Sequence, residues 1–276
     1  MEPVQVASFM PGPYRVPTYR GRVRAVATCK TLTGPYRGVG RPIATFVVER
    51  LIDMAARRLA VDPAELRRKN LVRDDEFPFR AASGIVWDRS GFIESLNRAC
   101  VAIGHAALRE EQAKARAEGR LFGIGLATYA ELTGIGSRIS AAPGMPINTG
   151  TETATLRLDP TGAVTGCFGI AAHGQGLETT LAQVIADELG VRIEDIRIWQ
   201  GDTAAVAHGT GSYASRSAVL AGGAAALAAR ALKEKVIRAA SHLLEASVED
   251  IGAADGRVFG STATSSPRIA GASSTR

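Results

Sequence analysis

The stretch Ala163-Val-Thr-Gly-Cys-Phe-Gly-Ile-Ala-Ala-His-Gly-Gln-Gly-Leu-Glu-Thr-Thr-Leu181 changes texture twice in nineteen residues. Ala163–Ile170 reads as a β-strand. Together with Thr153–Leu158 it flanks Asp159-Pro-Thr-Gly162, a turn signal, so the pair is predicted to form a hairpin. Ala172–Gly176 then reads as a loop. Beyond it, Leu177, Leu181, Val184, Ile185 and Leu189 recur at helical spacing, and Gly190 is a natural stop. Strand, glycine loop and helix therefore follow one another here, and the fold class expected is α+β.

Working outward, Val191–Trp199 resembles a short strand, and Ala214–Ala246 a long Ala-rich helix in which Gly222 and Gly223 permit close packing or a bend. Gly252–Gly256 can be a turn. Toward the N-terminus, Gly123 and Gly125 open a segment of β-type alternation, preceded by a helix predicted from Ile93 to about Ala117. Residues 73–92 read as loop. Asp62 as cap, Pro63 in first position and Glu65 in the first turn announce a helix to about Asn70. The helix before it follows the loop Thr33–Pro42, and Ile43, Phe46, Val47, Leu51, Met54 and Ala55 mark its expected buried face. Short β-type runs such as Val23–Thr28 are expected earlier. The texture divides the chain near residue 120, into parts 1–120 and 121–260, with a Ser/Thr/Ala/Gly-rich tail at 261–276 read as disordered or aberrant.

Composition narrows the function classes. Hydrophobic residues at 46% and charged residues at 22% are globular values. The most apolar run, Ala218–Ala229, falls short of the ~20 residues of a membrane span, and no secretory signal is read at the start, so a cytoplasmic location is expected. The net charge of +6 raises a nucleic-acid reading, but acidic residues are interleaved and aromatics are only 5%, leaving few stacking platforms. Cys29, Cys100 and Cys167 form no CxxC and are read as buried free thiols, with no metal site of their own.

Three glycine-bearing loops open onto helices: Tyr36–Pro42, Ala172–Thr179 and Gly209–Ser217. Glycine admits a ligand to the backbone, and a helix start offers unpaired N–H groups suited to phosphate. Singly, each is more often a tight turn. Arg37 or Arg216 alone is more often a surface or carboxylate-paired arginine, Gln175 a capping residue, and His173 and His208 satisfied hydrogen-bonding side chains. Ser212 lacks the flanking glycines of a nucleophile elbow. Three such loops in one chain point to a large anionic ligand.

Read in order, Arg37-Gly-Val-Gly-Arg-Pro42, the helix segment Val61–Leu71, His173-Gly-Gln-Gly-Leu-Glu-Thr-Thr180, the run Val191–Asp202 and Gly209–Ser217 resemble the large subunit of the xanthine dehydrogenase, aldehyde oxidase and carbon monoxide dehydrogenase family, over roughly Pro11 to Gly256. The resemblance implies an internal piece, comprising the end of a first molybdenum-cofactor-binding domain and the start of a second. It implies molybdopterin dinucleotide in its cytosine form, carrying molybdenum, with FAD on a medium and iron–sulfur centres on a small partner subunit. The reaction implied is oxidation of an aldehyde or N-heterocycle with water-derived oxygen. Arg37 would orient substrate and stabilise developing charge. Gly38, Gly174, Gln175, Gly176, Ala214, Ser215 and Ser217 would contact the cofactor.

The departures are equally specific. No Gly-x-Gly-Glu occurs, so the family's general-base glutamate is not present, and neither Glu131 nor Glu178 matches it. Gly38 stands where carbon monoxide dehydrogenases carry a cysteine, which favours an aldehyde or heterocycle hydroxylase. The isolated chain is expected to be inactive. Its rivals are a non-catalytic cofactor-binding or assembly remnant and, behind that, a basic nucleic-acid-binding protein.

Overall fold

The computed structural model describes residues 2–31, 34–134 and 151–260; Thr33 and the tail 261–276 lie outside them. The described residues form two compact units, one ending at Leu132 and one beginning at Thr133. Both mix helix and sheet, as the α+β expectation requires.

The first unit contains helices α1 (Glu2–Phe9), α2 (Arg41–Leu59), α3 (Pro63–Asn70), α4 (Phe92–Ile103) and α5 (His105–Ala117). The segment read as loop carries a small antiparallel pair, β1 (Phe79–Arg80) with β2 (Val86–Trp87). That pair brings Trp87 into the core, with Phe9 at 5.9 Å and Phe92 at 6.2 Å between ring centroids. Helix α3 starts as its sequence dictates: the Asp62 carboxylate accepts from the N–H groups of Ala64 (2.8 Å) and Glu65 (3.3 Å). Three smaller expectations also fail in this unit. Val23–Thr28 forms no strand and is exposed. The single helix expected over residues 93–117 is two, because Gly104 adopts φ +67°, ends α4 and begins α5. Cys29 is exposed, while Cys100 is buried.

The largest correction concerns α2. Ile43, Phe46, Leu51 and Met54, expected inside, are 52–68% exposed, and the buried residues are Arg41, Ala44, Glu49 and Ala56. The reason is Arg67 of α3, whose side chain has no exposed surface. Its Nε donates to Glu49 Oε2 at 2.8 Å, and its Nη2 to Asp53 Oδ1 at 3.0 Å and to the Leu126 carbonyl at 2.9 Å. Tyr14 donates to the other Glu49 oxygen. Burial pushes the Tyr14 hydroxyl pKa well up, and the Glu49 charge pushes it further. A buried guanidinium keeps its charge, so α2 must turn its acidic face inward.

In the second unit, β3 (Ala154–Leu158), β4 (Val164–Phe168) and β5 (Ile196–Gln200) form one sheet in the order β3-β4-β5. The β3–β4 hairpin is the one expected, its turn held by Asp159 Oδ1 accepting from Thr161 N at 2.8 Å. Helix α6 (Leu177–Leu189) ends at Gly190, φ +79°. Between it and β5, Ile193–Asp195 forms a 3₁₀ turn, so the strand begins at Ile196 rather than Val191. Helix α7 (Gly222–Leu244) follows a π-helical turn at Ser217–Ala221, and not a helix from Ala214, because Ala214 and Ser215 have φ near +50°. Ala225 and Ala229 of α7, with Ala221 of the turn before it, pack beside α6 over Val164, Phe168 and Ile196 of the sheet. A terminal hairpin, β6 (Ile251–Ala254) with β7 (Arg257–Gly260), turns at Asp255–Gly256.

Two outcomes follow for the first unit. Glu49→Ala leaves the Arg67 charge uncompensated and should cost about 3–5 kcal/mol, whereas Met54→Ala on the exposed face should change stability by under about 1 kcal/mol; urea unfolding of both variants reads this. Near-equal losses would place the stripe, not the ion pair, in the core. Asp62 supplies a pH test. Burial opposes its charge, but the N–H groups of Ala64 and Glu65 and the His105 ring outweigh burial and hold its pKa below the ordinary carboxylate value. Its contribution is therefore present above about pH 4 and is lost as pH falls through the lowered folded value. Asp62→Asn keeps the cap without the titration, so its melting temperature should fall less than the parent's between pH 6 and pH 2.

Candidate functional site

The second unit's sheet fixes where its glycine loops emerge. β4 and β5 are adjacent and parallel, with Phe168 opposite Gln200 at their carboxyl ends. The loop to α6 leaves β4 there, and the loop to Ser217 leaves β5 beside it. A crevice outside the carboxyl ends of parallel strands is where ligands bind in such sheets. The parallel pairing is what the sequence reading lacked.

Gly169 and Gly209 bring the two loops into contact. A Cβ on Gly209 would lie 2.3 Å from the Gly169 Cα, so neither position tolerates a side chain. Ser212 Oγ accepts from Ala171 N at 3.1 Å and donates to Ala171 O at 2.7 Å, which gives this serine a bracing role. Beneath them Arg216, fully buried, pairs with the equally buried Glu152 and donates to Gly211 O at 2.8 Å. Its guanidinium also lies 5.5 Å from the Tyr213 ring centroid. Arg216 is thus the carboxylate-paired arginine of the bland sequence reading, and its pairing closes the second loop.

Gly174 (φ +100°), Gly176 (φ +75°) and Gly211 (φ +93°) have open space where a Cβ would stand. Their positive φ values favour glycine, and at each the backbone is open on the side where a Cβ would stand. Gly176 begins α6 without a side-chain cap, so the first N–H groups of the helix carry an unanswered partial positive charge. Gln175 is exposed, and its side-chain oxygen accepts from His173 N within the loop. Ala214 (φ +52°) and Ser215 (φ +55°) are consecutive left-handed residues without glycine's freedom, a strain that persists only where surroundings impose it. Ser217 opens the π-helical turn. Six of the eight residues singled out by sequence therefore lie on two loops that the fold joins. An open glycine cradle, an uncapped helix start and a strained backbone fit a phosphate-bearing ligand.

Gln200 was missed. Both polar atoms of its carboxamide are buried without a hydrogen-bond partner, at the carboxyl end of β5. The signal was a polar residue closing the strand on the half-buried side, directly before Gly201-Asp202.

Arg37 and Gly38 belong to the first unit. Val39 N donates to Tyr36 O at 2.7 Å, closing a tight turn that exposes Arg37. Gly38 (φ +89°) could not carry a Cβ, which would stand 2.6 Å from Pro42 Cγ, and Val39 itself has φ +54°. Arg41 beside them is buried against Phe9 and pairs with Glu131 at 3.5 Å. Burial lowers the Arg41 pKa, with Glu131 acting the other way. No cluster of His, Cys, Asp or Glu suited to a metal ion occurs among the described residues.

The bracing of the second unit is directly testable. Gly209→Ala should destabilise it by about 1–3 kcal/mol through overpacking, and Glu152→Ala by about 3–5 kcal/mol through the stranded Arg216 charge. Thermal unfolding checks both; a Gly209→Ala protein melting with the parent would refute the close crossing.

Known proteins resemble this chain in sequence and in fold. A family model described as molybdopterin cofactor-binding domain matches residues 98–274, and a second of the same description matches residues 2–71. The nicotine 6-hydroxylase large subunit of Paenarthrobacter nicotinovorans is 37% identical over 89% of this chain and 30% of its own length. The carbon monoxide dehydrogenase large chain of Hydrogenophaga pseudoflava is 37% identical over 87% of this chain and 30% of its own. The crystal structure of quinoline 2-oxidoreductase from Pseudomonas putida 86 superposes with a TM-score of 0.84 at 38% identity, covering 97% of this chain and 34% of that one. The chain thus spans about 30% of the length of these curated relatives. It belongs to the family of molybdopterin cofactor-binding domains found in the large subunits of xanthine dehydrogenases, carbon monoxide dehydrogenases and aldehyde oxidoreductases.

Proposed function

We propose that this chain is the part of a molybdenum hydroxylase large subunit that grips molybdopterin cytosine dinucleotide, with residues 1–120 ending one cofactor-binding domain and 121–260 beginning the next. The observation that carries the reading is the pair of glycine loops leaving the adjacent parallel ends of β4 and β5, one of them feeding the uncapped start of α6. Gly174 and Gly176 leave room for phosphate oxygens against the backbone, and the N–H groups that open α6 neutralise them. Gln175 offers its amide nitrogen, its oxygen being engaged with His173 N. Ala214, Ser215 and Ser217 line the opposite side, held in place by Arg216 and Glu152. Gly38 keeps backbone accessible beside Arg37, whose exposed guanidinium orients substrate and stabilises negative charge developing on it.

Molybdenum on the pterin supplies the oxygen-inserting redox chemistry, while the protein binds and orients. In the complete enzyme the substrate is an aldehyde or an N-heterocycle. The names of the nicotine and quinoline relatives support the heterocycle, and Gly38, in place of a cysteine, speaks against carbon monoxide. Electrons leave through an iron–sulfur small subunit and an FAD-binding medium subunit; that relatives are named as a large subunit and as subunit gamma of a complex supports such an assembly. None of the 276 residues matches the family's base glutamate, so the chain alone performs no turnover and acts as a cofactor-binding piece. No helix among the described residues is long and apolar enough to cross a membrane.

The test is to express the chain in a host that makes the cytosine dinucleotide, then quantify molybdenum and acid-released CMP in the purified protein. Both should be present in equal amounts, and Gln175→Ala should reduce them severalfold without changing the melting temperature. Absence of both overturns the binding role, GMP in place of CMP overturns the cytosine form, and oxidation of nicotine or benzaldehyde by the chain alone overturns its assigned lack of turnover.

A further inference from the structure

The glycine loop that follows β5 stands in an arrangement that its own residues do not favour. Ala214 begins an Ala-rich run with high helical propensity. Yet Ala214 and Ser215 take φ of +52° and +55°, where a non-glycine residue is strained. The turn after Arg216 is also unusual. Ser217–Ala221 winds as a π-helix, with the Gly222 N–H donating to the Ser217 carbonyl, before α7 continues in regular form. The Arg216–Glu152 pair anchors one side chain of the segment from within. It leaves the dihedrals on either side of Arg216 to be set by other contacts.

Gly134 makes contacts on both of those sides. It is buried, and it belongs to the same unit as the loop. Its N–H donates to the Ser215 carbonyl at 3.1 Å. A trans peptide carries its C=O and N–H on opposite sides. Fixing the Ser215 oxygen therefore also directs the Arg216 N–H, which donates to the Tyr213 carbonyl at 3.1 Å. Beyond Arg216, Gly134 lies against Val219 in the middle of the π turn. A Cβ at Gly134 would stand 3.0 Å from Cβ, Cγ1 and Cγ2 of Val219, and its φ of +68° itself favours glycine. The Val219 Cβ is fixed to its backbone, so no change of rotamer would make room.

We propose that Gly134 is a positioning residue for this loop. Its N–H on Ser215 and its bare Cα against Val219 hold residues 214–217 in the strained form that receives the ligand. A hydrogen bond reaching the loop from far earlier in the chain supplies what local preference does not, and it opposes the tendency of the Ala-rich run to wind as helix from Ala214 onward. Ser215 and Ser217, on either side of the anchored Arg216, are then presented in one fixed arrangement. That the ligand is the molybdenum cofactor rests on the function proposed above; the hold itself does not.

The test uses the full 276-residue chain as parent, Gly134→Ala, and Gly134→Ala with Val219→Ala. Gly190→Ala is the control, another positive-φ glycine whose Cβ would meet a neighbour at 3.0 Å, the Ala253 carbonyl at the far end of α6. Hydrogen–deuterium exchange is read on cofactor-free protein, and molybdenum and CMP content on protein from a host that makes the cytosine dinucleotide. In Gly134→Ala the amides at position 134 and at Arg216 should exchange at least about tenfold faster, and both contents should fall severalfold. Adding Val219→Ala should recover at least about half of each loss, since it removes the methyl carbons that crowd the new Cβ. Gly190→Ala should leave the two amides and the contents at parental values. Unchanged exchange in Gly134→Ala, equal losses in Gly190→Ala, or no recovery on adding Val219→Ala would each overturn the assignment. Full molybdenum and CMP beside loosened amides would overturn it too, by making Gly134 a structural residue only. If the parent carries neither molybdenum nor CMP, the cofactor reading falls and the exchange rates alone decide the role of Gly134.

Discussion

A guanidinium taken out of water keeps its charge and tolerates burial only when carboxylate and carbonyl oxygens surround it. Each unit is organised around one such group. In the first, Arg67 gathers Glu49, Asp53 and the Leu126 carbonyl, and so fixes which side of α2 faces inward. In the second, Arg216 gathers Glu152, the Gly211 carbonyl and the Thr151 carbonyl, and so closes the loop that follows β5. The apolar cores fill in around these choices rather than making them.

The second unit shows how a binding surface arises from strand direction. β3 and β4 are antiparallel neighbours joined by a short turn, with β4 central in the sheet. The crossover through α6 returns β5 parallel to β4, so both strands release their loops at the same, carboxyl end. The mutual approach of Gly169 and Gly209 then lets the loops touch, and Ser212 ties them. Of the six non-glycine residues at positive φ among the described residues, three lie in the glycine loops, Val39 in the first unit's and Ala214 and Ser215 in the second unit's, while Ala60 and Glu245 end helices and Asp255 turns the last hairpin. Non-glycine residues at positive φ cost free energy that the surroundings must offset, and such positions cluster where ligands are held.

Much of the local structure was determined by the sequence alone. The Asp62–Pro63–Glu65 cap signal, the Asp159–Gly162 turn and the interval from Gly176 to Gly190 each act over a few residues, through hydrogen bonds and dihedral preferences that short-range chemistry sets. The ordered glycine motifs identified the family for the same reason, since each is a contiguous backbone device. What only the tertiary structure decided involves residues far apart in the chain. The inward face of α2 could not be read from periodicity, because an apolar stripe and the stripe holding Glu49 are equally helical, and Arg67 lies eighteen residues beyond Glu49. The parallel pairing of β4 with β5 and the Glu152–Arg216 bond, spanning sixty-four residues, are likewise choices of packing. Each joins a charge to its counter-charge or one strand edge to another across long stretches of chain, which short-range signals do not encode.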